Sequence, residues 1–130
     1  MIDVRSNLFL KEKFYASDDF VVGVELVSTR GTMTEAKSMQ ARAFSEDLTR
    51  SNKIDWVSIT DNAGGNPQLS PVALGTPILF GGKEVVVHMT CKDLNRHGLE
   101  SQLWLLSSHG FNIILALTGD YPLECYRGKP

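Results

Sequence analysis

Apolar residues along the chain gather into four short runs, and polar, helix-spaced stretches separate them. The first run is Phe20–Val27, Phe-Val-Val-Gly-Val-Glu-Leu-Val, rich in β-branched residues. The second is Asp55–Thr60, Asp-Trp-Val-Ser-Ile-Thr, and the third is Glu84–Met89, Glu-Val-Val-Val-His-Met. The fourth, Asn112–Leu117, is almost wholly apolar and gives way to Thr118-Gly119-Asp120. Runs of this length and composition predict strands, the fourth buried on both faces.

The intervening stretches predict helices. Ser6–Ala16 carries Leu8, Phe9, Phe14 and Tyr15 toward one side, with Ser6 as a cap. Thr34–Arg50 places Met39, Ala43, Phe44 and Leu48 at helical spacing, with Thr34 as the expected N-cap. Ser70-Pro71 opens a third helix, cap followed by proline, which Pro77 should kink or shorten and Gly81-Gly82 should end. Asp93 could cap a fourth, Leu94–Ser108, whose Leu99, Leu103, Trp104 and Leu106 mark its buried side, and Gly110 stops it. The tail Tyr121–Pro130 reads as a polar, irregular connector.

The order is helix, then β-α-β-α-β-α-β, the rhythm of a parallel sheet with crossover helices. Two α/β architectures fit: the first four βα units of a (β/α)8 TIM barrel, or a small doubly wound sheet. A full barrel needs about 250 residues, so the first makes residues 1–130 a single partial domain, a half-barrel fragment. Either way, a four-stranded parallel sheet has two unpaired edges.

Composition narrows the class. The chain has 130 residues, 42% of them apolar and 22% charged, with a net charge of −2. That excludes a basic nucleic-acid-binding surface, and no run approaches the roughly 18 apolar residues of a membrane span. The N-terminus lacks an apolar signal core, so a cytoplasmic location is expected. Cys91 and Cys125 form no CxxC pair and read as free thiols. His88, Cys91 and His97 match no zinc spacing, so no metal site is expected.

Candidate chemistry lies at the strand ends, where parallel α/β proteins bind ligands. Glu25 is the anomaly, an acid inside a run of valines and leucines. Alternation puts it on one face with Gly23 and Val27, which in a barrel points inward. Desolvation favours a protonated carboxyl, so Glu25 could deliver a proton; a structural ion pair with Arg30 or another base is the alternative. Thr60 ends the second run, and the glycines of Asp61-Asn62-Ala63-Gly64-Gly65 could bring backbone amides to a phosphate or planar ring. His88 could be a satisfied core histidine or a ligand contact. Gly119-Asp120 offers close backbone approach and a fixed negative charge, or simply a turn before Pro122. No Gly-x-Ser-x-Gly, Walker or Gly-x-Gly-x-x-Gly pattern occurs.

These residues carry a resemblance. Val24-Glu25-Leu26 with Arg30-Gly31, Trp56 through Gly65, His88 through Arg96, and Leu115-Ala116-Leu117-Thr118-Gly119-Asp120 together resemble the methylenetetrahydrofolate reductase family, in its order and spacing. The resemblance runs from about Asn7 to Pro122. It implies a (β/α)8 barrel with FAD at the strand C-termini. It also implies NAD(P)H-dependent reduction of 5,10-methylenetetrahydrofolate to 5-methyltetrahydrofolate. By motif, Glu25 is similar to the family's catalytic acid, which protonates the folate as its methylene bridge opens to an iminium. Thr60, His88, Thr118, Gly119 and Asp120 match flavin-contacting positions. A carboxylate at Asp120, near the flavin's pyrimidine edge, would disfavour an anionic reduced flavin and help hydride leave toward the folate.

Ser28-Thr29 stand where family members often have prolines, which touches only turn stiffness. The family's later strands, which add contacts to FAD, folate and nicotinamide, have no counterpart in these residues. The chain is therefore expected to bind flavin weakly or not at all by itself and to be inactive alone. Its implied partners are the folate substrate and, for the intact enzyme, a second copy or an electron-transfer subunit. The competing reading is a non-catalytic α/β module that pairs with itself or a partner through the edges Val21–Val27 and Ile113–Leu117.

Overall fold

The computed structural model describes residues 6–120, with side chains from Leu10 onward. The expected connector Tyr121–Pro130, Cys125, and the Ser6, Leu8 and Phe9 side chains lie outside that description. The elements are α1 (Ser6–Ala16), β1 (Gly23–Leu26), α2 (Ala36–Arg50), β2 (Trp56–Ile59), α3 (Pro71–Phe80), β3 (Glu84–Thr90), α4 (Arg96–Ser108) and β4 (Ile113–Leu117), with a 3-10 turn at Ala63–Gly65.

The strands form one parallel sheet in the order β1-β2-β3-β4. Sequential order is the winding of a barrel; a doubly wound sheet reverses its strand order at a switch point. One face is the core. Leu26, Val57, Ile59, Val85, Val87 and Met89 pack there against Ala41 and Leu48 of α2, Leu74 and Ile78 of α3, Leu106 of α4, and Phe111. Alternation turns Gly23, Glu25, Trp56, Ser58, Glu84, Val86, His88, Thr90, Ile113, Leu115 and Leu117 to the other face, the inner face of a barrel. The architecture is therefore a parallel sheet with alternating helices, that of a partial (β/α)8 barrel.

Several local expectations are corrected. Glu35, not Thr34, is the N-cap of α2. Its carboxylate accepts from the Thr32 amide at 2.9 Å, while the Thr34 hydroxyl is engaged with that of Thr32. The buried side of α2 is Ser38, Ala41, Ser45 and Leu48, and Met39 and Phe44 are exposed. Small residues on the packed side let α2 lie close to α3, to the point where Thr49 Cγ2 fills the space of a Cβ at Gly81. Asn95 caps α4, accepting from the Gly98 amide at 2.9 Å, because the Asp93 carboxylate is committed to Asn62 and Lys92. Only Leu106 of α4 is buried outright; Leu103 and Trp104 are exposed. Ser70 caps α3 as expected, and the helix runs through Pro77 to end at Phe80.

The edge strands differ most from expectation. β4 is not buried on both faces, since Leu115 and Ala116 are exposed. In β1, Gly23 and Glu25 are exposed. α1 is tied to the base of the sheet by Lys13, whose ammonium pairs with Asp55. That pair and the Val22 amide hold the Asp55 carboxyl below its ordinary range. Phe14 and Tyr15 of α1 are exposed. Among the described residues no helix is long and apolar enough to cross a membrane.

Candidate functional site at the strand C-termini

The C-terminal ends of the four strands surround a cavity of about 350 Å3 on the inner face. Glu25 of β1, Thr60 just past β2, His88 of β3, and Thr118, Gly119 and Asp120 just past β4 all line it. The expected proton donor and the expected flavin-contacting residues therefore border one space, whereas Gly64 and Gly65 do not line it. The parallel register explains why: residues far apart in the chain reach the same level because each crossover helix returns the chain to the same starting end.

Glu25 and His88 meet across β2, with Oε2 3.9 Å from Nε2. That is too long for a hydrogen bond and close enough for a charge interaction when the imidazole is protonated. His88 is buried, whereas the Glu25 side chain is 56% exposed. The expected desolvation of Glu25 is thus absent from the described residues, because the inner face of β1 lies open. The base that faces Glu25, as the ion-pair alternative allowed, is His88 and not Arg30.

Thr60 anchors the first loop. The Ser28 amide donates to Thr60 Oγ1 at 2.9 Å, and the Thr60 amide donates to the Leu26 carbonyl at 3.2 Å. The hydroxyl protons of Thr60 and Thr118 have no acceptor among the described residues. Gly119 has φ +84, and a Cβ there would come within 2.9 Å of Lys92 Cδ. Glycine is needed both for the backbone angle and for the approach of Lys92.

The loop after β2 behaves differently from the expected amide cradle. Its amides are used internally: Gly64 N donates to Asp120 Oδ2 at 2.7 Å, and Gly65 N to the Asn62 carbonyl at 3.2 Å. Asn62 holds a left-handed conformation, φ 48. Its side chain accepts from the Gln68 amide at 2.8 Å and donates to Asp93 Oδ2 at 2.9 Å. Burial pushes the Asp93 carboxyl up, but the hydrogen bonds from Lys92 and Asn62 and the Lys92 charge outweigh it and hold it below the ordinary carboxylate range. Asp120 therefore joins the β2 loop to the end of β4.

Asp61 and Thr90 lie in the motifs read from the sequence, but their pairing was not foreseen there. Asp61 Oδ2 accepts from both the amide and the hydroxyl of Thr90, each at 2.9 Å, clamping the end of β2 to the end of β3. The available signal was an acid directly after one strand and a threonine at the end of the next. Asp61→Ala is expected to leave two donors without an acceptor and to destabilise the fold by roughly 1–3 kcal/mol. Urea denaturation checks this, and an unchanged midpoint would show that the clamp is not made.

The family model for methylenetetrahydrofolate reductase matches residues 10–129, nearly the whole chain. The chain belongs to the methylenetetrahydrofolate reductase family. No curated protein matches it. The fold of this reductase family is the TIM barrel, in agreement with the sequential parallel sheet. Family membership makes this an oxidoreductase-type chain of one-carbon metabolism.

Proposed function

We propose that the chain carries the proton-donating and flavin-facing half of a barrel that reduces 5,10-methylenetetrahydrofolate to 5-methyltetrahydrofolate with NAD(P)H. The observation that carries this reading is the convergence of Glu25, Thr60, His88, Thr118, Gly119 and Asp120 on one cavity at the strand C-termini. The residues fit a flavin. The hydroxyl protons of two threonines, without an acceptor among the described residues, could be offered to ring oxygens or nitrogens, Leu117 supplies an apolar wall, and the chain approaches closely at Gly119. FAD, when bound, supplies the relay of hydride from the nicotinamide to the folate.

The residues of this chain do the rest. Glu25 gives its proton to the folate nitrogen that leaves the methylene carbon. The C–N bond breaks toward that nitrogen, and the carbon is left as an iminium able to accept hydride. His88 faces the carboxylate that remains and, when protonated, balances its charge. Asp120 would hold a negative charge near a bound flavin and so disfavour the accumulation of negative charge on it. The bond from Gly64 fixes where that charge stands.

A barrel containing these residues, supplied with FAD, NAD(P)H and 5,10-methylenetetrahydrofolate, is expected to form 5-methyltetrahydrofolate. No product from a fully flavin-loaded protein would remove the assignment. Parallel assays with NADH and NADPH identify the donor, and sizing of the active protein distinguishes a homo-oligomer from one that needs an electron-transfer subunit. The chain of residues 1–130 alone is expected to bind FAD weakly or not at all, because one open sheet face covers only one side of the ring system. A stoichiometric yellow complex of the isolated chain would contradict this.

A further inference from the structure

Asn62 is the one non-glycine residue in the left-handed backbone region among the described residues, at φ 48 and ψ 44. A side chain is disfavoured sterically there, and such a conformation persists only where the surroundings hold it. Glycine would sit there without strain, and the same loop has two left-handed glycines, Gly64 and Gly65. What the asparagine adds is its side chain. Oδ1 accepts from the Gln68 amide at 2.8 Å, and Nδ2 donates to Asp93 Oδ2 at 2.9 Å. Gln68 ties back in turn, its Oε1 accepting from the Ala63 amide at 3.1 Å.

These bonds close a ring of contacts behind the site. On one side, Asn62 sets the course of the loop to Gly64, whose amide donates to Asp120 Oδ2 at 2.7 Å. On the other, Asp93 holds the Lys92 ammonium, and the Lys92 stem lies against Gly119, the residue before Asp120. The Lys92 side chain is largely buried in that position. The Asp120 carboxylate and the backbone that carries it are thus both tied to the Asn62–Asp93 pair. Asn62 does not line the site cavity, although its neighbours Asp61 and Ala63 do. It reaches the site by placement and not by contact.

We propose that Asn62 is a positioning residue for the site: its two side-chain bonds hold the β2 loop in the shape in which the Gly64 amide meets Asp120, and so fix the negative charge of Asp120 near a bound flavin. The bond network stands by itself, and its consequence for the flavin rests on the functional reading above. A carboxylate held near the ring opposes the negative charge that reduction adds. It opposes that charge less when it swings into solvent and is screened. Asn62 therefore keeps the reduction potential of the flavin low.

Asn62→Gly isolates the side chain from the backbone. Glycine adopts the left-handed conformation freely, so the loop is not strained. It is also as uncharged as asparagine, so it changes the field at the ring only through what it moves. Hydrogen exchange followed by NMR needs no flavin. The Gly64 amide is expected to exchange at least about tenfold faster in the variant than in wild type, while the Thr60 amide, which donates to the Leu26 carbonyl, keeps its rate. In the flavin-loaded protein, Asn62→Gly is expected to raise the reduction potential in the same direction as Asp120→Asn. In the double variant it should add nothing to the Asp120→Asn shift.

Wild-type exchange at Gly64 in Asn62→Gly would overturn the proposal, because the backbone conformation alone would then place the loop. A potential that Asn62→Gly leaves unchanged, or shifts equally with and without Asp120, would overturn it as well. Failure of folate reduction alone would remove the functional reading and leave these two measurements, neither of which uses folate or NAD(P)H, to decide this one.

Discussion

Glu25→Gln is expected to lower folate reduction by a factor of about 10²–10⁴ while leaving reduction of the flavin by NAD(P)H at its wild-type rate. Glutamine keeps the size and reach of the side chain but has no acidic proton. Opening the methylene bridge needs that proton; loading the flavin does not. His88 does not stand in for it. Its Nε2 lies beyond hydrogen-bond distance of Glu25, on a buried side chain that points to the carboxylate rather than to solvent. Steady-state formation of 5-methyltetrahydrofolate checks the first half of the prediction, and anaerobic bleaching of the flavin checks the second. The loss should fall on kcat with little change in KM; a loss confined to KM would make Glu25 a binding residue.

Phe111→Ala should unfold the chain more readily than any surface change, by roughly 3–5 kcal/mol. Phe111 is the largest fully buried side chain among the described residues. It lies in the turn between α4 and β4, where its amide donates to the Leu106 carbonyl at 2.9 Å. Its ring reaches α3 at Gly75, where a Cβ would stand 2.8 Å from Cε1 and 3.2 Å from Ile59 Cδ1. Removing the ring opens a cavity between α3, β2 and the start of β4 that a glycine opposite cannot fill. Ile59 directly precedes Thr60, so the damage reaches the site. Urea denaturation should show a lower midpoint with unchanged slope. A loss below about 1 kcal/mol would mean that the core collapses around the gap or is held elsewhere.

The strands and the gathering of their C-terminal ends were legible because two local signals agreed, whereas the sequential strand order was implied only by the family resemblance. Apolar runs of strand length each ended in a polar residue, and parallel winding carries such ends to one side. Ser70-Pro71 was legible for the same reason, since cap and first-turn proline are local chemistry. What failed depended on neighbours that are distant in the chain. Asp93 has the composition of a cap, but Asn62, in another loop, takes its carboxylate, and Asn95 caps instead. Met39 and Phe44 have the periodicity of a core, but a close α2–α3 approach selects the serine and alanine side. The Asp61–Thr90 clamp exists only because β2 and β3 end side by side. β4 and Glu25 show a further gap. Ile113, Leu115 and Glu25 read as interior residues, and they stand at least partly open here because nothing among the described residues lies across from the inner face of the sheet. Such residues are suited to a closed barrel.

The central claim is that Glu25 supplies the proton that makes the folate able to accept hydride. Single-turnover oxidation of the prereduced flavin by 5,10-methylenetetrahydrofolate, followed by flavin absorbance in wild type and Glu25→Gln, tests it most directly. The predicted result is rapid reoxidation in wild type and, in the variant, a reduced flavin that persists with folate bound. Reoxidation at the wild-type rate in Glu25→Gln would contradict the claim.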